Sequence, residues 1–222
     1  MGGRGQSYTR KSKKQRNNTT NTKQETKHHE YTRYDDEKIA SVQQRTGMNY
    51  DNAAKTVDAI REWTTSQYGK IRAIQHGKHP SGLTKNEAKQ YKNTANSLET
   101  FIDRAPKWAG GTMYRGISVD TQTLEKYTQV GTIYSEKALA SFTTSETNAQ
   151  SFSIKHDSYR PHRVVFKTTN KATKHGASIT RETRIPDEYE VLMSSKAKFR
   201  IKRATKKRDA EGVYVQIDIT EI

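Results

Sequence analysis

The apolar residues of this chain are confined to part of it, and that limits what it can fold into. Residues 1–30 contain no Leu, Ile, Val or Phe, so all 33 residues of these types fall between positions 31 and 222. Over the whole chain they make up about 15%, below the rough 20% under which a highly charged chain is suspected of disorder. Gathered into residues 31–222, they suffice for one folded domain and not for two large ones. The segment 1–30 is rich in Asn, Thr and Lys with no periodic apolar pattern, and it cannot bury enough surface to offset its ordering entropy. It is expected to be a disordered basic arm, serving either as a solubilising tail or in attachment to nucleic acid or the ribosome.

The charge is as uneven as the apolar content. Of the formal +16, residues 1–30 carry +6 and residues 196–208 carry +8 with no acid among them, which leaves +2 for everything else. Taken whole, the excess favours a polyanionic partner. In KAKFRIKR, Lys196, Lys198, Arg200 and Lys202 alternate with Ala197, Phe199 and Ile201, which predicts a strand with one apolar and one cationic face. That face reads either as a solvated surface protecting a sheet edge or as a phosphate-contacting one. The arm and residues 196–208 are the candidate nucleic-acid contacts.

Several classes fall away. The absence of Cys excludes disulfides, thiolate zinc sites and cysteine nucleophiles. No apolar run approaches the roughly 18 residues of a membrane span, so no membrane partner is expected. The basic N-terminus has no apolar stretch behind it and does not read as a secretory signal. The expectation is a cytoplasmic protein. His28, His29 and Glu30 are three neighbours in a flexible tail without the geometry of a metal site; no metal is expected.

Helical signals begin near residue 35. Val57, Ile60, Thr64, Gln67, Ile71 and Ile74 recur at steps of three and four with Trp63 alongside, predicting one amphipathic helix within residues 49–75. Thr84-Lys85-Asn86-Glu87 is a capping box, and its helix is expected to run through Leu98, Phe101 and Ile102 to Pro106, after a turn at HGKHPSGL. Beyond Gly110-Gly111, short strands are predicted near residues 112–117, 138–144, 163–168, 190–193, 198–201 and 213–219. Helices followed by strands indicate an α+β fold: a helical part at residues 31–105 packed on a strand-rich part at 106–222.

Three segments carry candidate chemistry. In Met113–Ser118, Arg115 at a strand end suits an anion such as a pyrophosphate, and Gly116 allows close backbone approach by a ligand. Between Ser141 and Ser145, four hydroxyls in five residues can orient a carboxylate or ribose hydroxyls, or reflect only the β propensity of Thr. In Ile185–Met193, Glu188 and Glu190 are two apart and would share a side of an extended chain; a shared site pushes their pKa values apart and lets them divide labour. Singly, each segment also reads as ordinary structure.

In this order and spacing, the three segments resemble the arginine-specific mono-ADP-ribosyltransferases, whose signature is an Arg on one strand, a Ser-Thr-Ser-like strand and a later Glu-x-Glu. YRGIS, QVGTIYS and SFTTSETNAQSFS look most like the Mod-type ADP-ribosyltransferases of T-even bacteriophages. The resemblance covers residues 106–222 and implies a mainly antiparallel β core of that family's type. It further implies transfer of ADP-ribose from NAD to arginine side chains of host proteins, with release of nicotinamide. RNA polymerase and ribosomal or translation proteins are the host targets it suggests, in the host cytoplasm or from the virion.

Carried over residue by residue, Glu190 is the catalytic carboxylate and Glu188 orients and deprotonates the acceptor guanidinium. Arg115 anchors NAD, Gly116 passes close to nicotinamide, and Phe152 is a nicotinamide-side aromatic. The hydroxyl strand aligns in two ways. Ser141 holds Glu190 if the first Ser is matched, and Thr143 does so if the match runs through Ser145. No metal is implied. The alternative is a basic nucleic-acid- or ribosome-binding protein without catalysis.

Overall fold

The computed structural model describes residues 33–154 and 159–222, so the basic arm and the His28-His29-Glu30 cluster lie outside the described residues. Asp35 and Asp36 in the first turn and Arg45 in the last complement the dipole of α1 (Arg33–Thr46). Gly47, at φ 67°, stops that helix in the left-handed conformation, its amide donating to the Gln43 carbonyl at 2.8 Å. Asn49 then caps α2 (Tyr50–Glu62), its side chain accepting from the Asn52 amide at 3.0 Å.

The single helix predicted through residue 75 is interrupted. A kink across Trp63–Gln67 separates α2 from α3 (Tyr68–Gln75), and Thr65 leaves helical geometry at φ −103°, ψ −166°. Hydroxyls compete for the carbonyls here: Thr64 Oγ1 donates to Ile60 O at 3.0 Å and Thr65 Oγ1 to Glu62 O at 2.7 Å. The interruption buries Trp63 and leaves Thr64 and Gln67 half-buried. The capping box is formed as predicted, with Thr84 and Glu87 bonding each other's backbone amides at the start of α4 (Lys85–Arg104).

Eight strands form one sheet: β1 (Tyr114–Val119), β2 (Ile133–Tyr134), β3 (Ala140–Thr143), β4 (His162–Thr168), β5 (Gly176–Ser178), β6 (Glu190–Met193), β7 (Phe199–Asp209) and β8 (Gly212–Glu221). Their order is β2-β7-β8-β4-β1-β3-β6-β5, and every pair is antiparallel except β4 with β8. This is the α+β arrangement expected from the sequence. The short strands β2 and β5 escaped the periodicity, as did two short helices, α5 (Thr121–Thr128) and α6 (Glu146–Phe152). Each helix starts at a side-chain cap, Asp120 and Ser145 respectively.

Two cores lie on opposite faces of the sheet. Ile39, Val42, Val57, Ile60, Leu98 and Phe101 of the helices bury Leu139, Ile179 and Leu192, while Phe142, Phe166, Phe199 and Ile217 pack on the other side. Helix α1 is pinned to the chain between β5 and β6. Arg45 grips both oxygens of the buried Glu182 at 2.8 Å, Ser41 donates to the same carboxylate at 2.7 Å, and Lys38 Nζ donates to the Thr183 carbonyl at 2.5 Å.

On β7 the predicted alternation holds through Ile201, with Phe199 and Ile201 buried and Lys198, Arg200 and Lys202 exposed. β2 pairs only with Phe199 and Arg200. From Lys202 onward β8 is the one strand neighbour of β7 among the described residues, and the outer edge is lined with exposed cations.

Candidate active site

Register brings the three sequence segments onto three neighbouring strands. Tyr114 of β1 lies opposite Thr143 of β3, and Thr143 lies opposite Glu190 of β6. Pleating puts Ser141, Thr143, Glu190 and Leu192 on the helix-facing side. That face is apolar at Leu192 and polar toward the strand end.

Glu190 is 5% exposed. The indole of Trp63 donates to Glu190 Oε1 at 2.8 Å and shares its proton with Ser141 Oγ at 3.2 Å. Ser141 lies beside the carboxylate and favours its ionised form. Burial pushes the Glu190 carboxyl up; Ser141 and the bond from Trp63 work against this, Glu188 adds to the rise, Arg115 opposes it, and the net shift is upward.

Glu188 reaches the same cavity by a different route from the one its spacing implies. It ends a 3₁₀ turn (Pro186–Glu188), and Tyr189, left-handed at φ 48°, turns the chain into β6. The two carboxylates therefore do not share one extended segment. Thr143 Oγ1 donates to the Glu188 carbonyl at 2.7 Å and accepts from the Ser145 amide at 3.0 Å. Asn148 Nδ2 donates to the Asp187 carbonyl at 2.9 Å. Glu188 is half-buried, and that burial raises its pKa. Of the two hydroxyls aligned with Glu190, Ser141 touches it, whereas Thr143 holds the turn that carries Glu188.

Arg115 is nearly enclosed, its side chain 11% exposed. It donates from Nη1 to the Ser141 carbonyl at 2.9 Å, and its guanidinium lies 6.0 Å from the Phe142 ring centroid. Its Nε lies 3.3 Å from Glu136 Oε1, an ion-pair contact off the hydrogen-bonding direction. Glu136 also binds Arg72 of α3 and the Tyr134 hydroxyl. Burial resists its ionisation, but Arg115, Arg72 and the bond from Tyr134 outweigh it and hold the carboxyl down at about 2. The anion at the predicted Arg is thus supplied by the chain itself. Two guanidinium groups around one carboxylate leave a net positive charge on the cavity wall.

Gly116 lines the cavity and also meets a packing constraint that the sequence did not show. A Cβ there would stand 1.6 Å from the Ala149 carbonyl oxygen, because α6 packs directly on β1. Phe152, at the end of α6, is 49% exposed.

A cavity of about 430 Å³ joins these groups, lined by Arg115, Gly116, Ser141, Thr143, Phe152, Glu188 and Glu190 together with Trp63, Tyr68, Arg72 and Glu136. That volume is within the range of small-molecule sites. All the sequence-predicted site residues meet at this cavity. Trp63, Tyr68, Arg72 and Glu136 were not predicted. Trp63 read as part of a core face, and Glu136, though it follows QVGTIYS directly, finds its partner Arg72 only through a separation of 64 residues. Among the described residues no cluster of His, Asp and Glu is placed to hold a metal ion, and no helix is long and apolar enough to cross a membrane.

No protein-family profile and no curated protein matches the chain. Solved structures do. The Vis toxin, an ADP-ribosyltransferase from Vibrio splendidus, superposes with a TM-score of 0.61 at 24% identity over 85% of this chain and 81% of that one. The ADP-ribosyltransferase HopU1 of Pseudomonas syringae pv. Tomato gives 0.57 at 20% identity over 77% of each chain. Plx2a, an ADP-ribosyltransferase toxin from Paenibacillus larvae, gives 0.58 at 10% identity over 85% of this chain and 93% of that one. The strand order, the carboxylate-bearing turn and these superpositions lead to one structural conclusion: the chain has the ADP-ribosyltransferase fold.

Proposed function

We propose that the chain is an NAD-dependent mono-ADP-ribosyltransferase acting on arginine side chains. The observation that carries this reading is the pair of carboxylates in one cavity: Glu190 buried beside Ser141 and hydrogen-bonded by Trp63, Glu188 half-buried on a turn held by Thr143. In the reaction the bond between ribose C1′ and nicotinamide breaks, nicotinamide leaves with the electron pair, and C1′ bonds a guanidinium nitrogen that loses a proton.

Positive charge grows on the ribose as the first bond breaks. A fixed carboxylate is attracted to that charge more than to the ground state, which is the role of Glu190. Ser141 fixes its orientation. Glu188, closer to solvent and raised by burial, orients the acceptor and takes its proton. The net positive wall of Arg72, Arg115 and Glu136 suits a pyrophosphate, with Arg115 and the Gly116 backbone on the NAD side and Phe152 beside nicotinamide. NAD is a substrate here, and no step calls for a metal.

Vis has been solved in complex with agmatine, a guanidinium compound, which supports a guanidinium acceptor here. The motifs resemble those of the Mod-type enzymes of T-even phages, which supports a relation to that group. On that reading residues 31–222 are one catalytic domain, and its targets are host proteins such as RNA polymerase or translation components, met in the host cytoplasm. The non-catalytic reading accounts for the basic segments but gives no reason for Arg115, the hydroxyl strand, Glu188 and Glu190 to meet at one cavity.

The test is incubation with labelled NAD and agmatine, following nicotinamide release and ADP-ribosyl-agmatine together. Wild type should form both, and Glu190→Ala should form neither while melting at a similar temperature. An unimpaired Glu190→Ala variant, or a wild type inert toward NAD, would overturn the reading.

A further inference from the structure

The helical part contributes to the chemistry through a residue outside the three sequence segments. We infer that Trp63 is a positioning residue for the catalytic carboxylate, with its indole N–H, not only its bulk, setting how Glu190 is held; this rests on the transferase reading above.

The geometry is specific. Trp63 is 2% exposed, and a buried indole N–H needs an acceptor. It has two: Glu190 Oε1 at 2.8 Å and Ser141 Oγ at 3.2 Å. The shorter contact is to the charged oxygen, and a bond to an ionised acceptor is roughly twice as strong as a neutral one. The one indole donor thus bridges the carboxylate and the Ser141 side chain beside it.

The kink begins at Trp63. It carries Thr64, Thr65 and Tyr68 onto the cavity wall next to the indole. The docking of this helical segment is reinforced further along α3, where Arg72 binds Glu136 and donates to the Leu139 carbonyl at 3.0 Å, and Gln75 accepts from the Leu139 amide at 3.0 Å. The indole is therefore held at both ends: by the core of α2 behind it and by the carboxylate in front.

The groups acting on Glu190 are Trp63 and Ser141 as donors, Arg115 as a cation and Glu188 as an anion. Removing the Trp63 donor costs the ionised form a stronger bond than it costs the neutral form, so the carboxyl should protonate at higher pH. Activity that needs the carboxylate then fails at higher pH.

The experiment replaces Trp63 with 3-benzothienylalanine, in which sulfur stands for the N–H and the ring shape is kept, alongside Trp63→Phe. Nicotinamide release from NAD is followed across pH 4–9. The expected result is a kcat about tenfold lower at pH 6, an acid limb moved upward by about one pH unit, and a KM for NAD within about twofold of wild type. The benzothienyl variant should melt like wild type, which separates loss of the donor from loss of packing. A benzothienyl variant with unchanged kcat and acid limb overturns the inference. So does a change confined to KM. Should wild type itself release no nicotinamide, the transferase reading fails first, and that outcome is distinct from both.

Discussion

Thr143 Oγ1 donates to the carbonyl of Glu188 at 2.7 Å, so the hydroxyl strand and the turn that carries the half-buried Glu188 are one unit. Tyr189, left-handed and 51% exposed, has little packing of its own to hold this turn. Thr143→Val keeps the shape and removes the bond. Transfer to agmatine should fall about tenfold, with NAD hydrolysis changed by less than about twofold, at a stability cost of about 1 kcal/mol. Parallel assays of nicotinamide release and ADP-ribosyl-agmatine check this; an equal fall in both would show that the turn serves cleavage as well.

Glu188→Gln keeps size and polarity but cannot take a proton. Transfer to arginine should drop by two orders of magnitude or more, within the range of general-base losses of about 10²–10⁴, while slow hydrolysis of NAD survives. Equal loss of transfer and hydrolysis would remove the division of labour between Glu188 and Glu190.

Glu136 ties acid stability to the site. Its folded pKa, about 2, lies below the unfolded carboxylate value, so its stabilisation is full above about pH 4.5 and is lost as pH falls toward 2. The shift corresponds to about 3 kcal/mol as an order of magnitude. Glu136→Gln should lower the melting temperature at neutral pH by leaving Arg115 and Arg72 without their anion, and should flatten the pH dependence of melting between pH 4.5 and 2. Thermal melts at half-unit pH steps give the comparison. A variant retaining the wild-type acid slope would show that other carboxylates carry it.

Gly116→Ala places a methyl group 1.6 Å from the Ala149 carbonyl oxygen, a backbone atom that cannot swing aside. Helix α6 must lift from β1, and destabilisation should reach about 3 kcal/mol or more, at the upper end for overpacking. Denaturant midpoints measure it. A loss under about 1 kcal/mol would mean that α6 shifts freely, and the positions of Asn148 and Phe152 would then be adjustable too.

The α+β class, the capped helix α4 and six of the eight strands were legible because each rests on a local pattern: a cap, a period or an alternation. Arg115, Ser141, Glu188 and Glu190 were legible as a set through their types and order. What lay beyond the sequence was pairing. Arg115 looked available to an external phosphate, and the structure answers it with Glu136. Gly116 looked like a ligand contact, and its constraint comes from α6. The choice between Ser141 and Thr143 was open because alignment ranks hydroxyls by position; register pairs Thr143 with Glu190, yet its hydroxyl turns to the Glu188 carbonyl, and Ser141 shares the Trp63 indole with Glu190. Trp63 was hidden by its own hydrophobicity, since a core face and a face with one hydrogen-bond donor have the same period.

The bonds that complete the carboxylate site close long loops. Trp63 meets Glu190 across 127 residues, and Lys38 meets Thr183 across 145. Loops of that length repay their entropy only when the ends dock, so these contacts belong to late folding. During synthesis the helical part leaves the ribosome well before β6 exists, and until then Trp63 has no carboxylate to hold. A chain halted before residue 190 is left with an unfinished pocket, so the topology acts as a clock that withholds the assembled site until β6 has been made.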